Sequence, residues 1–382
     1  TTVGDTASPT ADVDLGGERV RSIYAGGNQS CAILVNGHVK CWGGDGLFGE
    51  MGLGPHLSIG DNEFPKDMPY ISLGGSVNAV IKLVVGAYHS CTLLANGSIN
   101  CWGDAANGKT TIPTGLNLAG STVDLYIGAN ATCAIRSSGI QECWGDPVNS
   151  QTTLSVPYSD ANYTKTGDGG LSFMCSLGVT GDIGCRGNNA FTQLSDLATA
   201  GVLNTYNLTL AGSTRELYAG YYHGAALSAD GKIINWGPDD KGQLSNIPAN
   251  VDGPGEALTA SAGFDFTCAI DSLTNKVHCW GFDYALGTGN LNPTNINLTT
   301  ARKVSAEHDS ACGVTTDGKA KCWGYINTDN PIASITGKVI DVGTGAFHAC
   351  ALLSSGKVTC WEENSNDSAN GQLTIPASIA SP

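Results

Sequence analysis

Short stretches of alternating apolar and polar residues recur along the chain, separated by turns rich in Gly, Asn, Asp and Ser. Val20 to Gly26 is one; Ile81 to Gly86, Val123 to Gly128, Arg215 to Gly220 and Val339 to Gly343 are its counterparts. Period-two alternation bounded by turn formers predicts short strands. A hairpin follows each of them. In Ser90 to Gly103 two β-compatible runs flank Ala95-Asn96-Gly97, where Gly97 can take the positive φ that a tight turn needs. A three-residue loop sets Leu93 opposite Ile99, Thr92 opposite Asn100 and Cys91 opposite Cys101. If the loop-closing pair is hydrogen-bonded, the cysteines form a non-hydrogen-bonded pair with Cα atoms about 4.5 Å apart, which suits a disulfide.

The same register pairs Cys31 with Cys41, Cys133 with Cys143, Cys175 with Cys185, Cys312 with Cys322 and Cys350 with Cys360. Cys268 and Cys279 carry one extra loop residue. In the copy from Ala225 to Gly237 both cysteine positions have changed together, leaving Ala225 opposite Asn235, as expected if the sulfurs matter only as a pair. All 14 cysteines then belong to seven within-hairpin bridges. A Gly/Asn/Asp-rich turn leads to a fourth segment, as in Gly242 to Pro248 and Gly371 to Pro376. Four short strands per unit predict an all-β propeller of four-stranded blades.

Successive first-cysteine positions lie 60, 42, 42, 50, 43, 44 and 38 residues apart, and the eight hairpins predict eight blades, with seven as the alternative. The expected organisation is a polar tail over 1–14 that a partner would have to order, one propeller over 15–377 and a short tail over 378–382. The long first interval marks an insertion over 44–75. Its Phe48, Met51, Phe64, Met68 and Tyr70 are candidate partner contacts; the plainer reading is a satellite cluster under a long loop.

Composition narrows the function. The chain has 382 residues, 52 of them Gly, and is 41% hydrophobic, enough for a sizeable core. A net charge of −15 argues against a nucleic-acid partner, which needs a basic footprint. Regular cysteine pairs point to an oxidising compartment, so the expected location is extracellular or cell-surface. No apolar run approaches the roughly 20 residues of a membrane span. No charged-then-apolar leader opens the sequence, as expected of a mature secreted form. Asn28, Asn96, Asn130, Asn162, Asn207, Asn297 and Asn366 stand in glycosylation sequons.

Trp42, Trp102, Trp144, Trp236, Trp280, Trp323 and Trp361 each follow the second cysteine position; Arg186 takes that place in the fourth copy. Strand alternation sends each Trp to the face opposite its Cys, so every blade should offer a disulfide to one neighbour and an indole to the other. His89, His223 and His348 precede the first cysteine position by two residues, with His308 nearby but out of register. A hydrogen bond to neighbouring backbone is the expected role for them rather than metal binding. The acidic turns at Asp160 and Asp239-Asp240 lack calcium-loop spacing. No nucleophile elbow or phosphate loop occurs, so no catalytic, cofactor or metal residue is assigned and no enzyme is expected. A lectin should repeat one aromatic and one Asp or Asn at one loop position; no such set stands out beyond the Trp column.

The recurring Gly-x-x-His-Ser-Cys-x-Leu-Leu-x-x-Gly-x-Val-x-Cys-Trp-Gly-x-x-x-x-Gly-Gln-Leu pattern, from about Asp14 to Pro376, resembles the regulator of chromosome condensation repeat in a cysteine-paired, secreted form. That resemblance implies a toroidal propeller, usually seven-bladed, with short loops on both faces and terminal segments that meet. Relatives include a nucleotide exchange factor, a UV-B photoreceptor and a β-lactamase inhibitor, and such activities do not transfer with a fold. The expected function is a non-enzymatic extracellular scaffold or a subunit of a fibre or sheath, acting through a protein partner or self-association. The alternative is a lectin or a secreted inhibitor, with a glycan as a further partner.

Overall fold

A computed structural model describes residues 12–44, 49–54, 59, 64–73, 80–116, 120–146, 166–178, 181, 183–188, 206–208, 214–282, 296, 298–324 and 335–362. Eight antiparallel sheets form the blades. Their innermost strands are Val20–Ala25, Val80–Val85, Thr122–Ile127, Thr166–Gly169, Thr214–Ala219, Ala257–Ala262, Ala301–Glu307 and Val339–Thr344. Each innermost strand packs against that of the next blade, and the last packs against the first, so eight blades close the ring. Among the described residues no helix is long and apolar enough to cross a membrane.

The hairpins have the register that the alternation predicts. Cys91 faces Cys101 and Leu93 faces Ile99, while Gly97, at φ 80°, donates its N–H to the Leu94 carbonyl at 2.8 Å. All seven disulfides lie within hairpins, with Cα atoms 4.0 to 4.1 Å apart. Ala225 faces Asn235 in the blade that lacks one. Middle strands such as Gln29–Leu34 and His89–Leu94 are buried along their whole length, because a blade is covered on both faces.

The interface between blades is one disulfide under one indole. Trp102 shares a core cluster with Cys31 and Cys41, and Trp42 joins Cys350 and Cys360 of the last blade in that cluster. Trp323 lies with Cys268 and Cys279, Trp361 with Cys312 and Cys322, and Trp236 with Cys175 and Cys185. Blade 4, with Arg186, solves the problem differently. Met174 joins Tyr126 and the Cys133–Cys143 pair in one cluster, and the Arg186 guanidinium reaches the Tyr126 hydroxyl. Arg186 is therefore hydrogen-bonded across a blade interface.

The fourth strand expected of each blade is seen in part among the described residues. Seven of the described sheets have three strands, and only blade 4 gains a fourth, Tyr206–Leu208. In blade 5 the Gly242 to Pro248 segment turns on itself, and side chains hold it: the Gln243 carbonyl accepts from Asn235 Nδ2 at 2.8 Å and Trp280 Nε1 at 3.0 Å. A segment this short, with Gly242 and Pro248 at its ends, supports no ladder. The Gly371 to Pro376 segment lies outside the described residues.

Ring closure uses the end of the expected tail. Val13 donates its N–H to the Val358 carbonyl at 2.8 Å, and Asp12 bridges Thr359 on the last blade. Asp12 and Val13 are thus taken up by the chain's own blade 8, and Asp14 pairs with Lys66 of the insertion at 2.8 Å; residues 1–11 lie outside the described residues.

Candidate binding face at the channel mouth

The turn between the innermost and middle strands repeats at one end of the central channel. Its first position reads Gly26, Gly86, Gly128, Gly170, Gly220, Gly263, Glu307 and Gly345 around the ring. Glycine belongs there because adjacent turns nearly touch. A Cβ on Gly26 would lie 2.4 Å from the Gly86 carbonyl oxygen. Backbone hydrogen bonds pass from turn to turn, as from Ala129 to Gly170 at 3.1 Å, Phe264 to His308 at 2.6 Å and Ala346 to Gly26 at 3.1 Å.

Blade 7 breaks this column. Its innermost strand runs one residue further, Glu307 pairs with Ser310, and a tight two-residue turn of His308 and Asp309 follows, with His308 at φ 43°. Glu307 thereby lines a cavity of about 180 Å³ together with Asp168, Tyr218, Tyr221 and the glycine ring. Asp168 accepts N–H bonds from Ala219 and Gly169, both at 2.9 Å, yet burial pushes its pKa up to about 6. Glu307 is pushed up to about 7, first by burial and then by the charge of Asp168. Deeper in the channel wall, Lys82 pairs with Asp124 at 2.5 Å and Lys303 pairs with Asp341.

The next positions of the same turn carry aromatic rings in one half of the mouth. Tyr221 stacks on Phe264 with centroids 4.5 Å apart, Phe264 meets His308 at 5.1 Å, and His308 meets Phe347 at 5.4 Å. Tyr222 stands edge-on to both Tyr221 and Phe264. Phe347 is 40% exposed and Tyr88, beside the same opening, 38%. Two carboxylates sit among the rings. Asp309 lies 3.0 Å from His308 Nδ1 and raises its pKa. Asp265 is pushed up to about 6 by burial, with Asp240 and Asp309 adding to the rise.

Several expected residues lie elsewhere. His89, His223 and His348 are fully buried and each bonds a hydroxyl of the next blade, Thr132 at 2.7 Å, Thr267 at 2.8 Å and Ser30 at 2.7 Å, while His223 also meets the backbone of Phe264. Burial lowers their pKa values to about 3, 4 and 4. Of the insertion residues, Met51 is buried in the core cluster that holds Trp42 and Trp102, and Met68 packs against that cluster, so Met51 does not face a partner. Phe64 lies under the Lys66 ammonium, while Tyr70 stacks on His38 at 4.1 Å and donates its hydroxyl to Glu18 at 2.6 Å. Phe48 is outside the described residues, as are Asn162, Asn297 and Asn366. Of Asn207 only the backbone, in Tyr206–Leu208, is described. Asn28 and Asn130 sit on channel-mouth turns, Asn130 donating its amide to the Leu171 carbonyl, and Asn96 caps its hairpin turn by accepting from Ser98.

The aromatic arc is what sequence reading missed. Phe264-Asp265 and His308-Asp309 place an aromatic and an acid at the same two turn positions of adjacent blades, a pairing found in two blades and not in the several that a lectin set would need. Aligning the residues three and four before each first cysteine position exposes it, because His308 then falls in the column of Tyr221 and Phe264.

Comparison with known proteins places the repeats. The family model for the regulator of chromosome condensation (RCC1) repeat matches residues 80–109 and 339–365. Protein pim1 of Schizosaccharomyces pombe is 31% identical over 111 residues, 26% of this chain. The chain covers only 19% of that protein's length. Among solved structures, yeast RCC1 (Prp20) bound to Kap60 superimposes with a TM-score of 0.58 at 17% identity, over 91% of this chain and 81% of that one. The ectodomain of the Physcomitrella patens receptor kinase CR4 gives 0.53 at 18% identity, over 74% and 72%. These likenesses are to the propeller fold.

Proposed function

We propose that this chain, a propeller carrying regulator of chromosome condensation repeats, works outside the cell as a non-enzymatic binding scaffold whose contact face is the aromatic half of the channel mouth. One observation carries the reading: Tyr221, Phe264, His308 and Phe347 form a continuous, partly exposed arc across four consecutive blades. Aromatic residues dominate contact energetics at protein interfaces, and their packing here leaves them on the surface instead of between blades. An extracellular setting is supported by seven disulfides, which persist only where thiols are not kept reduced. The plant receptor ectodomain shares the fold in such a setting, and the yeast relative was solved bound to another protein.

The test is capture of a partner from the extracellular fraction of the source by wild type and by a Tyr221→Ala/Phe264→Ala double variant. The expected result is one partner that the variant loses while its melting temperature holds. Equal capture by both proteins would overturn the assignment of the face. Native light scattering on the same samples distinguishes a second copy of the chain from a different protein, so the fibre or sheath form of the reading is tested alongside.

A further inference from the structure

We propose that the channel mouth is a receptor for a cationic side chain: an arginine or lysine on an extended segment of a protein partner enters beside the Tyr221–Phe264–Phe347 arc, and its charge is met by Glu307 and Asp168, which line the same cavity. The proposal rests on the binding-face reading above and adds the chemistry of the occupant.

Three independent features converge on it. First, Glu307 breaks a column that is otherwise glycine, and it does so at the wall of the cavity. Placing a carboxylate there is costly, since burial disfavours the charged form. Second, the positive charges nearby are committed elsewhere. Lys82 pairs with Asp124, Lys303 with Asp341 and Lys241 with Asp240, whereas Asp168, Asp265 and Glu307 make no ion pair among the described residues. Third, aromatic rings line one half of the opening, and ring faces attract cations, arginine above all. With a net charge of −15 the chain also steers basic partners toward itself.

A neutral sugar would stack on these rings but leave the like-charge crowding untouched. A metal ion is poorly served, because no described cluster offers three metal-ligating side chains. A guanidinium or ammonium answers both the rings and the carboxylates.

The charge environment fixes a pH signature. Glu307 faces Asp168 and His308; Asp168 faces Lys82; Asp265 faces Asp240, Lys241 and Asp309. With the three carboxyl groups at about 6 to 7, all are ionised at pH 8 and largely protonated at pH 5. His308, whose pKa the Asp309 carboxylate raises, also opposes a cation once protonated. Affinity should therefore fall as the pH is lowered from 8 to 5, and fall with added salt.

The probes are an acetylated oligoarginine peptide, its citrulline counterpart of the same length, and a chitin hexasaccharide, titrated into the oxidised full chain. Oligoarginine should bind about tenfold or more tightly than the citrulline peptide, and Glu307→Gly, which restores the glycine of the column, should lose about tenfold for oligoarginine alone. Phe264→Ala should weaken it too. A melting temperature for Glu307→Gly at pH 8 no lower than wild type separates loss of the site from loss of the fold. Equal affinity for the two peptides, an unchanged Glu307→Gly, or binding of the hexasaccharide alone would overturn the cation receptor. In each case a partner still lost by the Tyr221→Ala/Phe264→Ala protein would leave the binding face standing.

Discussion

Blades 1 to 4 place Gly27, Ala87, Ala129 and Leu171 at the turn position where blades 5 to 7 place Tyr221, Phe264 and His308, while blade 8 has Ala346 there and adds Phe347 from the next position. The two halves of the ring are built alike beneath those turns, with an indole over a disulfide at most interfaces in both. What differs is the surface. The lesson is that interior positions are held to a common solution by packing, while a turn that only has to let its neighbour approach is free to carry a function on one side of the ring.

The comparison breaks first if packing is not equivalent in the two halves. Trp42→Ala in the first half and Trp361→Ala in the second, both essentially fully buried beside a disulfide, should each cost about 3 to 5 kcal/mol in urea unfolding. A loss at one site several-fold larger than at the other would deny a shared design. Next in size is the blade that lacks a bridge. Ala225→Cys with Asn235→Cys, placed at the paired register of blade 5, should form an eighth disulfide and stabilise the oxidised over the reduced protein by roughly 2.5 to 3 kcal/mol. Failure of the bridge to form would show that blade 5 departs from the hairpin geometry of the others.

The pH dependence should carry two terms of opposite sign. His89, His223 and His348 are held neutral by burial, with folded pKa values of about 3 to 4. The unfolded chain takes up those protons near pH 6.5, so the stability they contribute is complete above that value and drains away toward pH 4. Glu307 behaves oppositely. Its folded pKa of about 7 lies above the ordinary 4.5, so it weakens the fold at pH 8 and ceases to do so below pH 4.5. Melting curves of Glu307→Gln against wild type should therefore diverge at pH 8, with the variant higher, and converge at pH 4. A variant that melts lower at pH 8 would mean that Glu307 is compensated within the chain. The smallest effect concerns ring closure: Asp12→Asn removes an exposed ion pair with Lys357 and should leave the urea midpoint unchanged within error, with the Val13 backbone bond intact.

Much of the interior was legible because it repeats. The ten-residue spacing of Cys91 and Cys101 contains its own register, and Trp102 beside Cys101 must point the other way, so disulfide and indole could be assigned from strand alternation alone. Met51 was not legible. An insertion residue next to aromatics looks the same in sequence whether it faces solvent or, as here, packs in the core with Trp102. The histidine partners were half legible: a buried polar ring needs a hydrogen bond, but only the approach of the next blade could supply Thr132, Thr267 and Ser30.

The sequence by itself determined the hairpins, their pairing and the number of repeats, since these depend on residues within about a dozen positions of one another. The tertiary structure decided what happens between repeats. It closed the ring by setting Val13 on the Val358 strand, brought Asp168 of blade 4 and Glu307 of blade 7 to one cavity, and lined up Tyr221, Phe264, His308 and Phe347 from four blades. Neighbours in that arc are roughly forty positions apart in the chain and the other pairs much further, distances over which local alternation carries no information. Only the rotation from blade to blade makes them neighbours.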